Sequence, residues 1–404
     1  KVDREERPDI DYVFQSSYQL FNQSGGGWPL TIFLDENATP FMAGTYFPKI
    51  SSHGLPSFKE VILKVGKTYT EQREEIIKQS HIISKSLELK KSLVLSQDLE
   101  SILLGFIAGL DESNGGYKGS PKFPIFNVYD VLLFFFNKTK KLDYLKPVEL
   151  ILKQLCSQGI YDHVEGGISR YTVDENWLIP HFEKMLYDNA QFVLLLSKYL
   201  KVKKNEYFER KIIQTIDFIN KNFTNSKNNL LGSAFDADSD GEEGKYYTFS
   251  YEELKKIKNI NQYFDVKPGG NWENKIILKE LKTPPETIIL KLKKLRERKI
   301  KPFFDTKIQL DLNCLWVSAL VSADRTMPNN NFLKIAETYY KNLEIFFFKN
   351  KKLQHTTLKP EVFLEDYAYS IAMLLDLYDQ TLKPNYLFKA KELCKKTIEL
   401  FYIK

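Results

Sequence analysis

With 404 residues, 43% hydrophobic and 14% aromatic, the chain can bury a sizeable core over two or three domains, which excludes a disordered protein. The formal net charge of +6 is spread thinly, and the densest basic run, KLKKLRERK at 291–299, has the spacing of a solvated helix face, so no nucleic-acid partner is expected. No run of 18 apolar residues exists, which excludes a membrane-spanning helix, and Cys156, Cys314 and Cys394 are too few and too far apart for a disulfide framework or a zinc motif.

The chain opens on Lys1, and KVD reads as the tail of a strand, so the sequence is expected to begin inside a longer protein. Pro8 leads into an amphipathic helix carrying Ile10, Val13, Phe14, Tyr18 and Phe21. Three glycines break it before Trp28-Pro29. LTIFL at 30–34, the turn residues DENAT and the run FMAGTYF then predict a hairpin. Ser57-Phe-Lys-Glu60 fits a capping box that opens the next helix, and the 70s and 80s continue as an amphipathic linker helix.

From residue 96 the pattern is helical. Helices are predicted at 96–110, 125–136, 147–158, 182–200, 206–223, 310–323, 332–348, 361–382 and 386–400, with Pro147 at a first helical position. The stretch 233–299 breaks the rhythm, with KYYTFS at 245–250 predicted as a strand and Ser250 as the start of a short helix. Asp111-Glu-Ser-Asn-Gly115-Gly116 and Asp162-His-Val-Glu-Gly166-Gly167 share the form D-x-x-x-G-G, each just after a helix. Such an echo suggests repeating helical hairpins with glycine-rich loops at one end.

The segment from Gly166 to Gln191 is the densest in chemistry, with Arg170, Tyr171, Asp174, Glu175, Trp177, His181, Glu183 and Asp188. Pro180 precedes a predicted helix, which puts His181 and Glu183 in its first turn. One reading is a capping carboxylate and packed aromatics. The other is a cavity mouth where His181 and Glu183 act as acid and base, Trp177 is a platform, and Arg170, Tyr171 and Asp188 contact substrate. In SAFDADSDGEEGKYYTF, Asp236, Asp238 and Asp240 match half of a calcium loop. Its twelfth position is Tyr247, however, and a strand rather than a helix is predicted to follow. Asp236 and Asp238 are instead candidate catalytic carboxylates, acid and base on a sugar, with Glu243 and the substrate-binding candidate Glu242 nearby, unless the turn is simply solvated. GGYKGSPKFP lacks the P-loop signature and reads as a shaped loop, while Glu365 and Asp366 in FLEDYAY read as first-turn acids and Cys314 and Trp316 as core.

The ordered motifs KVDREERPDIDYVF, GGWPLTIFL, GGYKGSPKFP, GGISRYTVDENWLIPHFEKMLYD, DADSDGEEGKYYTF and FLEDYAY resemble the family of spermatogenesis-associated protein 20 and its bacterial relatives from end to end. The resemblance implies a mainly α fold. It consists of a partial thioredoxin-like α/β domain over 1–90 and an (α/α)6 six-hairpin toroid over 91–404, incomplete at its C-terminus, with a strand-containing insertion near 233–299. It also implies a cis Trp28–Pro29 bond facing a C-x-x-C motif that no cysteine here can supply. The Leu312-Asn313-Cys314 stretch departs from the family's Trp-Asn-Gly, which would alter a site lined by that helix. The implied function is a carbohydrate-active enzyme of the sugar epimerase/isomerase or glycosidase type, with a small-molecule substrate, no metal and no cofactor. The alternative is a redox-associated or protein-interaction scaffold with a protein partner. With no targeting segment in view, the cytoplasm is the expected location.

Overall fold

Pro8 starts the first helix at a position where a missing N–H costs nothing, and α1 runs Pro8–Asn22 with Asp9 and Asp11 in its first turn. The computed structural model describes residues 1–52, 54–87, 98–348, 353–357 and 361–402, which fall in two units, Lys1–Ser96 and Gln97–Lys404. In the first unit β1 (Thr31–Leu34) pairs antiparallel with β2 (Pro40–Gly44) across a turn in which Asp35 Oδ1 accepts the N–H groups of Asn37 and Thr39. Helix α2 (Phe58–Glu71) carries the expected box, Ser57 and Glu60 capping each other's backbone, and α3 (Arg73–Leu87) follows. The Trp28–Pro29 bond is cis, as expected. The Trp28 indole donates to Asp11 at 2.9 Å and lies 3.9 Å from the Arg4 guanidinium.

The second unit is built from helical hairpins: α4 (Leu99–Ala108), then α5 (Phe126–Thr139) with α6 (Leu142–Ser157), and α7 (Leu186–Leu200) with α8 (Glu206–Asn222). After the short α9 (Tyr251–Leu254) and α10 (Glu286–Arg296) come α11 (Leu310–Thr326) with α12 (Phe332–Phe347), and α13 (Leu364–Thr381) with α14 (Pro384–Phe401). Helices α5, α7, α11 and α13 pack side by side as an inner layer, and each second helix of a pair backs it. Helix α11 is buried on every face from Asn313 to Asp324, as an inner element must be. The chain is thus mainly α, in hairpins of the kind that compose a six-hairpin toroid.

Short strands stitch the inner helices together at their N-terminal ends. β3 (Tyr171–Thr172) pairs with β4 (Pro180–His181), while β5 (Lys184–Met185), β6 (Ala234–Phe235) and β9 (Phe304–Asp305) form a three-stranded sheet. β7 (Asp238–Ser239) turns back into β8 (Glu242–Glu243) through Asp240 and Gly241, both with positive φ. That is an Asp-Gly hairpin turn, so the acidic run is no calcium loop.

Three boundaries differ from the sequence reading. Pro147 lies inside α6, which starts at Leu142, because Tyr144 and Leu145 in that extra turn are buried. KYYTFS is a turn with one isolated bridge, Phe249 to Ile276, the strand being Glu242–Glu243 instead. Helix α7 begins at Leu186 rather than near Pro180, because Lys184 and Met185 are drawn out to pair with Phe235 and Ala234.

The loop echo is real, and it has a third member. In each loop the first residue's N–H donates to the sixth residue's carbonyl: Asp111 to Gly116 at 2.8 Å, Asp162 to Gly167 at 2.9 Å, Asn225 to Leu230 at 2.8 Å. The first residue's Oδ1 accepts the N–H of Ser113, Val164 or Lys227. The fifth position needs positive φ, met by Gly115, Gly166 and Asn229. Each loop then docks on the fourth residue of an inner helix. Tyr129 accepts from Gly116, Asn189 clamps Ile168 and Asn313 clamps Leu231. Gly116 sits at φ +74°, and a Cβ there would lie 2.5 Å from Trp177 Cζ2. Gly116→Ala is therefore expected to cost about 2–4 kcal/mol, strain and clash together, read as a lowered urea midpoint; a loss under about 0.5 kcal/mol contradicts this packing.

Candidate active site at the inner-helix mouth

The N-terminal ends of the inner helices adjoin because their lead-in segments are tied by backbone. Lys122 bridges Thr172 ahead of α5, the β5–β6–β9 sheet joins the approaches to α7 and α11, and Gln309 bridges Thr356 ahead of α11 and α13. Buried cations anchor the loops around this mouth. Lys122 Nζ binds Asp111 Oδ2 at 2.6 Å and the Gly115 carbonyl at 3.0 Å; Lys184 Nζ repeats this with Asp162 at 2.7 Å and Gly166 at 2.9 Å. Arg296 of α10 adds both oxygens of Asp162 at 2.8 and 2.7 Å. Burial opposes ionisation of Asp162, but Arg296 and Lys184 outweigh it and hold the carboxyl well below the usual range.

On this frame strand pairing sets His181 opposite Tyr171, whose rings stack at 5.0 Å, and Tyr171 in turn stacks on Phe123 at 4.6 Å. The other partner of His181 is Glu243, with Nδ1 2.7 Å from Oε1. The His181 side chain is 31% exposed. Next to it Arg170 pairs with Glu183 at 3.0 Å, and the Arg170 N–H donates to the Glu183 carbonyl at 2.9 Å. His181, Glu183, Arg170 and Tyr171 are thus gathered on and beside one strand pair rather than in a helix turn.

Asp188, in the first turn of α7, lies below them. It is 7% exposed, and its Oδ2 has no hydrogen-bond partner. Burial pushes its carboxyl well above the usual range, Arg170 working against the rise and Glu183 adding to it. The fold therefore favours the neutral form of the Asp188 carboxyl. A folded pKa above the unfolded value near 3.9 makes stability complete below about pH 4 and diminishing as pH rises. Asp188→Asn, with no proton to lose, is expected to gain on the parent as pH rises above about 4 in guanidinium unfolding. A difference that does not change with pH contradicts the assignment.

The remaining expected residues lie elsewhere. Trp177 is no substrate platform: it is fully buried, donating its indole N–H to the Asn114 carbonyl at 2.9 Å and packing against Gly116. Its ring fills the space beside the first loop, and that need overrides any surface role. Asp236 and Asp238 are exposed; Asp236 Oδ1 accepts the Ala237 N–H, and Asp238 pairs across the hairpin with Glu243. Glu242, also exposed, is an ion-pair partner of Lys275. What the acidic loop delivers to His181 is Glu243, which the sequence places only as a neighbour of the candidate carboxylates.

A second cluster has no counterpart in the sequence reading. Asp311 in the first turn of α11, Asp366 in the first turn of α13 and His355 between them offer one ligand atom each within 4.8 Å of one another. His355 Nδ1 lies 2.9 Å from Asp366 Oδ1 and 4.0 Å from Asp311 Oδ1. Burial pushes the Asp311 carboxyl up to about 7, Asp366 adding to the rise and His355 opposing it. These are residues that could hold a cation. In Leu312-Asn313-Cys314 the shared Asn313 clamps the third loop, and the departing Cys314 is buried in the core.

Residues 1–88 match the family model Thioredox_DsbH, described as a protein of unknown function, DUF255. An uncharacterized protein of Caenorhabditis elegans is 28% identical over 98% of this chain and 63% of its own length. Human spermatogenesis-associated protein 20 is 25% identical over all of this chain and 60% of its own length, which bears out the resemblance. The chain therefore spans about three fifths of these relatives. Among solved structures, cellobiose 2-epimerase from Spirochaeta thermophila aligns at a TM-score of 0.49 and 15% identity over 74% of this chain and 66% of that one. A family 105 glycoside hydrolase from C. acetobutylicum aligns at 0.47 and 16% over 76% and 72%. At that level neither a substrate nor a residue role passes to this chain. Among the described residues no helix is long and apolar enough to cross a membrane.

Proposed function

We propose that the mouth is the active site of an acid/base enzyme acting on a hydroxyl-rich small molecule, a carbohydrate of the kind handled by sugar epimerases, isomerases or glycosidases. The observation that carries this reading is the His181–Glu243 pair. Glu243 beside Nδ1 holds the proton on that nitrogen and leaves Nε2 as the base, on a ring fixed by its stack with Tyr171. The catalytic role expected of Asp236 and Asp238 passes to Glu243, as the positioning residue of His181.

The supporting groups suit such a substrate. Arg170 and Glu183 offer a donor and an acceptor side by side to neighbouring hydroxyls, and the buried Asp188 carboxyl, whose neutral form burial favours, lies close by. The carbohydrate class is the finer part of the proposal and follows from the helical-hairpin architecture that the resemblance implies, since folds alone do not fix chemistry. A panel of mono- and disaccharides is expected to include at least one that the chain turns over, with turnover lost in His181→Ala. No response from the parent to any member would overturn the reading and favour a scaffold.

A further inference from the structure

We infer that Asp311, His355 and Asp366 form a binding site for one divalent transition-metal cation of the zinc or manganese class. The three donors come from three elements: the first turn of α11, the segment 353–357 and the first turn of α13. That convergence is fixed by backbone. The Leu310 N–H donates to the His355 carbonyl at 2.9 Å, and Asp366 Oδ2 accepts the Phe363 N–H at 2.8 Å, which turns Oδ1 toward His355.

The ordinary explanation of such a group is an imidazole paired with a helix-capping carboxylate. It accounts for Asp366 and His355. It leaves Asp311 unexplained, because Asp311 Oδ1 is closed off from solvent and has no hydrogen-bond partner. That same oxygen is the one turned to His355 Nδ1, at 4.0 Å. Leaving a buried carboxylate oxygen without a donor is costly, and a cation between the three groups removes the cost. Zinc-type ions sit about 2.0–2.2 Å from imidazole nitrogen and carboxylate oxygen, so donors up to roughly 4 Å apart can share one with a small adjustment. Two carboxylates balance a divalent charge. An imidazole in the set selects zinc or manganese over calcium or magnesium, which prefer oxygen alone.

The inference is independent of the proposed sugar chemistry and is tested without it. The full chain, stripped with a chelator, is titrated with Zn²⁺ and with Mn²⁺ by calorimetry, beside Asp311→Asn and Asp238→Asn. One equivalent is expected to bind the parent and Asp238→Asn alike, with affinity lowered at least about 10–100-fold in Asp311→Asn. Asparagine preserves volume at a position whose Oδ1 accepts no bond, and circular dichroism checks the fold. The Co²⁺-loaded parent provides a readout that needs no variant: visible d–d bands are expected. Absence of stoichiometric binding, absence of those bands, or equal affinity in Asp311→Asn would each overturn the site.

Discussion

Asp162→Ala is expected to destabilise the second unit by about 3–5 kcal/mol, seen as a large fall in Tm or failure to fold. The Asp162 carboxylate is 4% exposed, and it alone faces two buried cations, Lys184 at 1% and Arg296 at 3%. Without it Lys184 can escape by shedding its proton, since burial already lowers its pKa. Arg296 cannot, and it is left with the Tyr247 carbonyl at 3.3 Å and the Glu165 carboxylate at 3.5 Å. The same residue closes the second loop through Val164 and Glu165, so its removal also frees the turn that positions β3 to β5. Because the folded carboxyl titrates below its unfolded value, its contribution is complete above about pH 4 and fades as pH falls below that. Asp162→Ala/Lys184→Met should recover part of the loss. A single-variant loss under about 1 kcal/mol would show that the trio does not hold the mouth together.

Replacing His181 is expected to lower turnover by about 10²–10⁴-fold with little change in fold, because the ring is part-exposed and its hydrogen-bond partner is a surface carboxylate. Glu243→Gln separates positioning from chemistry. It keeps the shape of the pair but removes the charge that fixes the Nδ1–H tautomer. The variant should therefore lose kcat with KM little moved. A merely structural Glu243 would leave kcat in place.

Periodicity made the helices legible, and D-x-x-x-G-G exposed two of the loops, because only glycine combines easily with positive φ. The third loop escaped notice because Asn229 takes that conformation instead. His181, Glu183, Arg170 and Tyr171 were found as a group since one short segment carries them all. Their local structure was misread, because the pairing of Lys184 with Phe235 depends on a strand that arrives some fifty residues later. Trp177 misled for a related reason: its environment is made by Gly116, on a loop that its own neighbourhood does not announce. Asp311, His355 and Asp366 stand 44 and 11 positions apart on separate elements, so no short spacing could reveal them. Only the adjacency of α11 and α13 does so.

The most direct measurement of an acid/base mouth is proton NMR of the sugar panel incubated with the chain in D₂O, parent beside His181→Gln. With His181 as the base, the parent alone is expected to incorporate deuterium at a sugar carbon or to cleave a glycosidic bond. Neither event in the parent, or the same event at the same rate in both proteins, would contradict it.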